Sequence, residues 1–104
     1  MTRIELLPYC IRINGHAGDK VVCAMLTSQT VGIIKNLTEN YFVEGLDFKL
    51  EPGFFYLNIR NLPIEAAILV NGFGYCLAGL ASSYPNNIQL IQNALPAQPC
   101  VNKS

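Results

Sequence analysis

The chain has 104 residues, of which 51% are apolar and 13% are charged, and seven basic residues balance seven acidic ones. This length suits a single domain with its own hydrophobic core, and the apolar content excludes a disordered chain. A net charge of zero argues against a protein that binds nucleic acid by neutralising phosphates. We therefore treat residues 1–104 as one domain and expect no direct nucleic-acid partner.

The first ten residues, MTRIELLPYC, do not have the features of an export signal. A secretory signal peptide needs an apolar core of about 7–15 residues behind a basic patch, and this stretch has none. We therefore expect a cytoplasmic protein. Because the cytoplasm keeps most thiols reduced, the four cysteines, at positions 10, 23, 76 and 100, are expected to be thiols rather than two disulfides.

The first part of the chain predicts a strand followed by a helix. Apolar residues alternate imperfectly from Ile4 to Asn14, which indicates a strand with Pro8 at an edge or a bulge. Residues 15–18 interrupt this pattern. Asp19 is then a suitable N-cap for a helix from about Lys20 to Leu37. Helical spacing predicts that a buried stripe on this helix consists of Val22, Leu26, Ile33 and Leu37.

The remaining strands are shorter. Pro52-Gly53 separates the apolar runs 48–50 and 54–59, a pattern typical of a hairpin turn. Residues 88–91 predict a last strand, and the tail from about 94 to 104 is expected to be loose. With two helices, the order β-α-β-β-α-β predicts a single α+β domain in which a mostly antiparallel sheet packs against the helices.

A second helix is predicted from about Leu62 to Ser83, with Pro63 at its start. Its uncharged apolar part, residues 66–81, would span about 24 Å, which is short of a bilayer core of roughly 30 Å. A buried helix is therefore favoured over a membrane span. Glycines at positions 72, 74 and 79 weaken a helix, which indicates close approach of a neighbouring helix or of a partner subunit.

One pair of side chains carries possible chemistry. His16 is the only histidine, and it precedes Cys23 by seven positions across a glycine-bearing segment. Cys23 lies near the start of the first predicted helix, where the helix dipole stabilises a thiolate. His16 has the chemistry to act as base and acid in acyl transfer. Backbone N–H groups in Ala17-Gly18 and at the helix start are candidate oxyanion donors, and Asp19 would cap the helix or orient the loop.

The same residues also have a purely structural interpretation. A cysteine in an apolar context is often core packing, and a histidine before a turn glycine is often a turn residue. Spacing alone leaves both interpretations open, because the loop could place the two side chains near or far apart. One histidine and four cysteines without a CxxC pair do not match a zinc site, so no metal and no other cofactor are expected.

Three short elements resemble the signature of the bacterial ribosomal-processing cysteine protease (Prp) family. They are Gly15-His16-Ala17, Asp19-Lys20 and Val22-Cys23-Ala24. The aromatic hairpin at residues 53–56 and the Tyr-Pro-Asn-Asn-Ile segment at residues 84–88 are similar as well. The resemblance covers roughly residues 3–92, and the paired GHA and VCA elements are its most specific part.

The resemblance implies a homodimeric α+β protein that removes a short N-terminal extension from a large-subunit ribosomal protein. Cys23 falls on the family's nucleophile, and His16 falls on its partner. Family cleavage follows an apolar, phenylalanine-containing stretch and precedes alanine and serine, then basic residues. The loop between the two side chains is mobile in the family. The expected partners are therefore a ribosomal protein extension, as substrate, and a second copy of this chain.

Two features depart from the family pattern. Family members commonly have a serine four residues after the cysteine, whereas this chain has Thr27, which keeps the hydroxyl and adds a methyl group. The loop between His16 and Cys23 is also shorter than in the family members that are most firmly associated with ribosomal-protein processing. The favoured function is a cysteine endopeptidase. The alternative is a non-catalytic, homodimeric, ribosome-associated interaction protein of the same fold, because low charge and a glycine-rich helix suit an apolar dimer interface.

Overall fold

The structure is a computed structural model in which residues 1–92 are described. Five strands and two long helices make up this part of the chain. In chain order they are β1 (Thr2–Leu6), β2 (Cys10–Asn14), α1 (Lys20–Lys35) with a π-helical turn (Asn36–Asn40), β3 (Phe48–Glu51), β4 (Phe54–Asn58), α2 (Ile64–Ser83) and β5 (Ile88–Gln92). The tail that the sequence predicts to be loose, residues 94–104, lies outside the described residues.

The strands form one mixed sheet in the order β3-β4-β2-β1-β5. β1 pairs antiparallel with β2, β2 with β4, and β3 with β4, whereas β1 and β5 are parallel. The long α2 connects β4 to β5, and a helical crossover of this kind suits the return to a strand parallel to β1. The predicted α+β class, with a mostly antiparallel sheet and two helices, is confirmed.

The predicted first strand is instead a hairpin of two strands. The chain reverses at Leu7-Pro8-Tyr9, and the Leu7 N–H donates to the Cys10 carbonyl at 3.0 Å. β1 and β2 then pair antiparallel, with Ile4 opposite Ile13. The expectation of a continuous strand from Ile4 to Asn14 is therefore wrong. Proline has no N–H to give to a ladder and fixes its own φ, which suits a turn better than a strand interior.

Both helices pack on the same face of the sheet. The predicted stripe of α1 is confirmed, since Val22, Leu26, Ile33 and Leu37 are all buried. From the sheet, the core takes the side chains that share this face: Ile4, Ile11, Ile13, Phe55 and Leu57. Phe73 of α2 meets Phe55 edge-to-face, with ring centroids 5.9 Å apart. This packing holds both helices against one face of the sheet.

The outer face of α2 is open. Among residues 1–92, α2 is the helix that is long and apolar enough to cross a membrane by length and composition. Within the protein, 28% of its most apolar 18-residue stretch is buried. Ile64, Ile68 and Tyr75 are exposed, Tyr75 by 80%. Nothing among residues 1–92 would meet a Cβ added at the glycines of α2, which are Gly72, Gly74 and Gly79. The expected close approach at these glycines by a helix within residues 1–92 is therefore wrong, whereas approach of a partner subunit stays a prediction. The helix is buried along one face only.

The opposite face of the sheet also holds buried side chains. Cys10 is completely buried and disulfide-bonded, which corrects the expectation of a thiol there. Cys23 and Cys76 are free thiols, as predicted, whereas the prediction for Cys100 falls outside the described residues. Disulfide formation depends on how closely the fold brings two Cβ atoms together, which linear spacing does not show. Burial, reinforced by the Asp47 carboxylate, raises the pKa of Tyr56 on this face.

Candidate functional site

An open groove of about 350 Å³ lies where the start of α1 meets the β3–β4 hairpin. His16 and Cys23 both line it, and Thr27 lines it one helical turn beyond Cys23. The apolar part of its wall includes Val31, Leu50 and Phe54. The fold thus brings together the histidine and the cysteine that the sequence singled out. Gly18 and Asp19 lie beside the groove, outside its lining.

Cys23 occupies the first turn of α1. Its N–H donates to the Asp19 carbonyl at 3.0 Å, which is the first bond of the helix. The thiol is free and partly exposed. The helix start therefore presents sulfur to the groove at the end where the helix dipole favours negative charge.

Asp19 is the N-cap of α1, as the sequence predicts. One of its carboxylate oxygens accepts from the N–H groups of Val21 at 2.8 Å and Val22 at 3.2 Å. These two N–H groups are therefore not available to an oxyanion. The N–H groups of Ala17, Gly18 and Lys20, which form no hydrogen bond within residues 1–92, remain as candidate donors. The cap narrows the oxyanion site to the loop and the first helical residue.

Replacing Asp19 by alanine is expected to destabilise the protein by about 1 kcal/mol, because two helix N–H groups lose their acceptor. This corresponds to a fall of about 4–8 °C in the melting temperature of a domain of this size. Asp19→Asn, which keeps a capping oxygen, should remain close to the wild type. Thermal unfolding followed by circular dichroism measures both variants. Equal melting temperatures for Asp19→Ala and Asp19→Asn would contradict the capping role.

His16 projects from the loop between β2 and α1 and lies against the β3–β4 turn. Gly53, at φ +74°, forms that turn, and its carbonyl accepts from the Gly15 N–H at 2.9 Å. A Cβ on Gly53 would lie 2.8 Å from the His16 Nε2 atom. Glycine at this position therefore lets the turn close over the imidazole ring. Both side chains line the groove, but within residues 1–92 no hydrogen bond joins the His16 ring to Cys23.

The sequence did not indicate every residue that shapes this site. Gly53 was predicted only as a hairpin residue, and its contact with His16 connects positions 37 residues apart. Asn87 was part of a recognised segment without a role, yet its side chain reaches the histidine loop. Among residues 1–92, no group of three or more His, Cys, Asp and Glu side chains comes together that could hold a metal ion.

Solved structures are similar to this chain, although no protein-family model and no curated protein match it. The Staphylococcus aureus ribosomal processing protease Prp, in complex with a covalently linked product peptide, gives a TM-score of 0.74 at 18% identity, covering 89% of this chain and 100% of that one. The same protease with a substrate peptide gives 0.76 at 16% identity and the same coverage. A protein from Streptococcus mutans gives 0.66 at 14% identity, covering 90% of this chain and 93% of that one.

These likenesses confirm the resemblance to the Prp protease at the level of the fold. At identities of 14–18%, they do not by themselves carry activity from one chain to another. What this chain does has to be argued from the groove that holds His16 and Cys23.

Proposed function

We propose that this chain is a cysteine endopeptidase in which Cys23 is the nucleophile and His16 is the general base and acid. The observation that carries the proposal is that the only histidine and a free, partly exposed thiol line one open groove at the start of a helix. The fold shared with a ribosomal processing protease solved with peptides supports it.

The reaction follows from the positions of these groups. His16 accepts the Cys23 proton, and the thiolate attacks the carbonyl carbon of the scissile peptide bond. The electron pair of the carbonyl moves to its oxygen, where the N–H groups of Gly18 and Lys20 donate hydrogen bonds. When the intermediate collapses, the C–N bond breaks and His16 returns the proton to the leaving amine. Water, deprotonated by His16, then hydrolyses the thioester and regenerates Cys23.

Thr27 supports the site in this proposal. It lies four residues after Cys23, so its exposed side chain lies on the same side of α1 and lines the groove. Its hydroxyl can donate to or accept from a bound peptide backbone. The extra methyl group, compared with the serine typical of the Prp family, contributes apolar surface to the groove.

The groove suits an extended apolar peptide. Val31, Leu50 and Phe54 give its wall apolar surface, which favours a substrate with apolar or aromatic side chains. We propose the N-terminal extension of a ribosomal protein as the substrate, cleaved after an apolar, phenylalanine-containing stretch and before alanine and serine. A neighbour described as a ribosomal processing protease, in complex with a substrate peptide, supports this substrate class.

The open face of α2 supports a homodimer. Ile64, Ile68 and Tyr75 are exposed there, and the glycines of the helix have open space around them. A second α2 packed against this face would bury the apolar side chains and would approach closely at the glycines.

We also propose a cytoplasmic location. The Cys10 disulfide is unusual in that compartment, but its sulfur is completely buried, which limits attack by a reducing thiol.

Incubation with a synthetic peptide tests the proposal directly. The peptide should carry an apolar stretch ending in phenylalanine, followed by alanine, serine and basic residues. We expect mass spectrometry to show cleavage at one bond, and to show a transient mass increase on the protein from the acyl-enzyme. A peptide that remains intact over a long incubation with concentrated protein would contradict the proposal.

The alternative function is a non-catalytic, ribosome-associated homodimer of the same fold. Two observations favour it: no hydrogen bond joins His16 to Cys23 within residues 1–92, and Asp19 occupies two helix N–H groups. Alkylation at neutral pH separates the two functions, with the exposed Cys76 as an internal reference. A nucleophilic Cys23 should react faster than Cys76 despite its lower exposure, because the thiolate is the reactive form. A slower reaction would favour binding alone.

A further inference from the structure

The histidine loop, residues 15–19, is attached to four separate parts of the fold. At its start, the Gly15 N–H donates to the Gly53 carbonyl at 2.9 Å, and the Gly15 carbonyl accepts from the Thr2 Oγ1 atom at 3.5 Å. At its centre, the Nδ2 atom of Asn87 donates to the Ala17 carbonyl at 2.8 Å. At its end, Asp19 caps α1. His16 therefore lies between two residues whose backbones are each bonded to a distant segment.

Two side-chain hydrogen bonds reach the residues next to His16, and the bond from Asn87 to Ala17, at 2.8 Å, is shorter than the bond from Thr2 to Gly15, at 3.5 Å. Ala17 is 4% exposed, and its carbonyl accepts no other hydrogen bond within residues 1–92. Loss of the Asn87 donor would leave this carbonyl without a partner in a protected position. Because an unsatisfied buried carbonyl is costly, the loop would then shift to reach water.

Asn87 is itself held in place by the backbone. Its N–H donates to the Tyr84 carbonyl at 3.0 Å, and its carbonyl accepts from the Thr2 N–H at 2.9 Å. The next residue, Ile88, is buried and pairs with Thr2 in the parallel ladder between β1 and β5. The amide of Asn87 therefore extends from a rigid junction between the end of α2 and the sheet.

We propose that Asn87 is a positioning residue that holds the loop so that His16 faces Cys23 in the groove. This inference rests on the proposed function and extends it to a residue 71 positions beyond His16. Asn87 touches neither the substrate nor the reacting atoms; it acts through Ala17, the residue next to His16. A displacement of about 1 Å in a catalytic group can cost about a hundredfold in rate, so one distant hydrogen bond can control turnover.

The test compares Asn87→Ala with Asn86→Ala. Both changes remove an uncharged amide, so neither adds a charge near His16. Asn86 is exposed and its side chain forms no hydrogen bond within residues 1–92, which makes it a matched control. We expect Asn87→Ala to lower kcat for peptide cleavage by about 10–100-fold while KM changes by less than about threefold. Asn86→Ala should stay within about twofold of the wild type in both constants.

A second pair of variants separates positioning from simple loss of stability. Ile88→Val removes one buried methylene beside Asn87, should lower the melting temperature by a few degrees and should leave kcat unchanged. Asn87→Gln keeps an amide donor at a longer reach, and we expect it to recover part of the lost kcat. The inference is overturned when Asn87→Ala keeps its kcat, or when Ile88→Val lowers kcat as much at a similar melting temperature.

Nuclear magnetic resonance distinguishes failure of this inference from failure of the proposed function. Asn87→Ala should change the His16 ring signals and speed amide exchange at Ala17 and Gly18, whether or not peptide is cleaved. If the wild type does not cleave and these signals still change, the endopeptidase is wrong and the attachment of the loop by Asn87 stands. If these signals match the wild type, the inference is overturned whatever the activity.

Discussion

A Cys23→Ala variant is expected to leave the test peptide uncleaved above the background rate. Cleavage needs a nucleophile that forms and releases an acyl intermediate, and alanine offers no atom for that bond. The variant should fold normally, because the Cys23 side chain is only partly buried and lies at the margin of the hydrophobic core. The peptide assay measures the loss, and circular dichroism confirms the fold.

Cys76→Ala is the matched control for this variant. Cys76 is the other free thiol in residues 1–92, and it is exposed on α2, outside the groove that contains Cys23. We expect Cys76→Ala to cleave at the wild-type rate. Equal cleavage by Cys23→Ala and the wild type would remove Cys23 from the mechanism and with it the proposed function.

A Gly53→Ala variant is expected to lower kcat by about 10–100-fold although neither catalytic residue is replaced. The new methyl group would lie 2.8 Å from the His16 Nε2 atom, far inside van der Waals contact. Because the imidazole is the free end of a side chain, the ring rotates away more easily than the turn moves. Displacement of the ring removes the base and acid, so the rate should fall toward that of His16→Ala.

Gly45→Ala separates this steric effect from backbone strain. Gly45 has φ +65°, close to the φ of +74° at Gly53, but a Cβ added there meets nothing within 4 Å. Both variants should lose about 1–2 kcal/mol of stability from the left-handed backbone, measured by thermal unfolding. Only Gly53→Ala should lose activity. A similar loss of kcat in both variants would show that strain, rather than contact with His16, is responsible.

The Gly53 and Asn87 variants act on the same loop from two different segments of the chain. Gly53 limits where the His16 ring can lie, whereas Asn87 fixes the backbone one residue further along. A double variant, Gly53→Ala with Asn87→Ala, should therefore lose less than the product of the two separate losses, because both changes disturb the same imidazole.

The sequence by itself determined the elements whose cause is local. Asp19 caps the helix that it was predicted to cap, because a capping bond joins residues two or three positions apart. Pro52-Gly53 forms the predicted hairpin turn, and the buried stripe of α1 follows the helical period. The choice of His16 and Cys23 as candidates also needed only composition and spacing, and the fold places them in one groove.

Only the tertiary structure decided what depends on distant segments. The sequence placed Pro8 at the edge or a bulge of one strand, whereas the pairing of β2 with both β1 and β4 places it in a turn between two strands. Three contacts depend on segments that are far apart in the sequence and close in the fold, which no periodic pattern predicts. They are the disulfide at Cys10, the contact of Gly53 with His16 and the bond from Asn87 to Ala17. Local hydrogen bonds and the periodic burial of side chains depend on residues that are neighbours in the sequence. The distance between two loops is set by how the sheet and helices pack, and here that packing forms the groove.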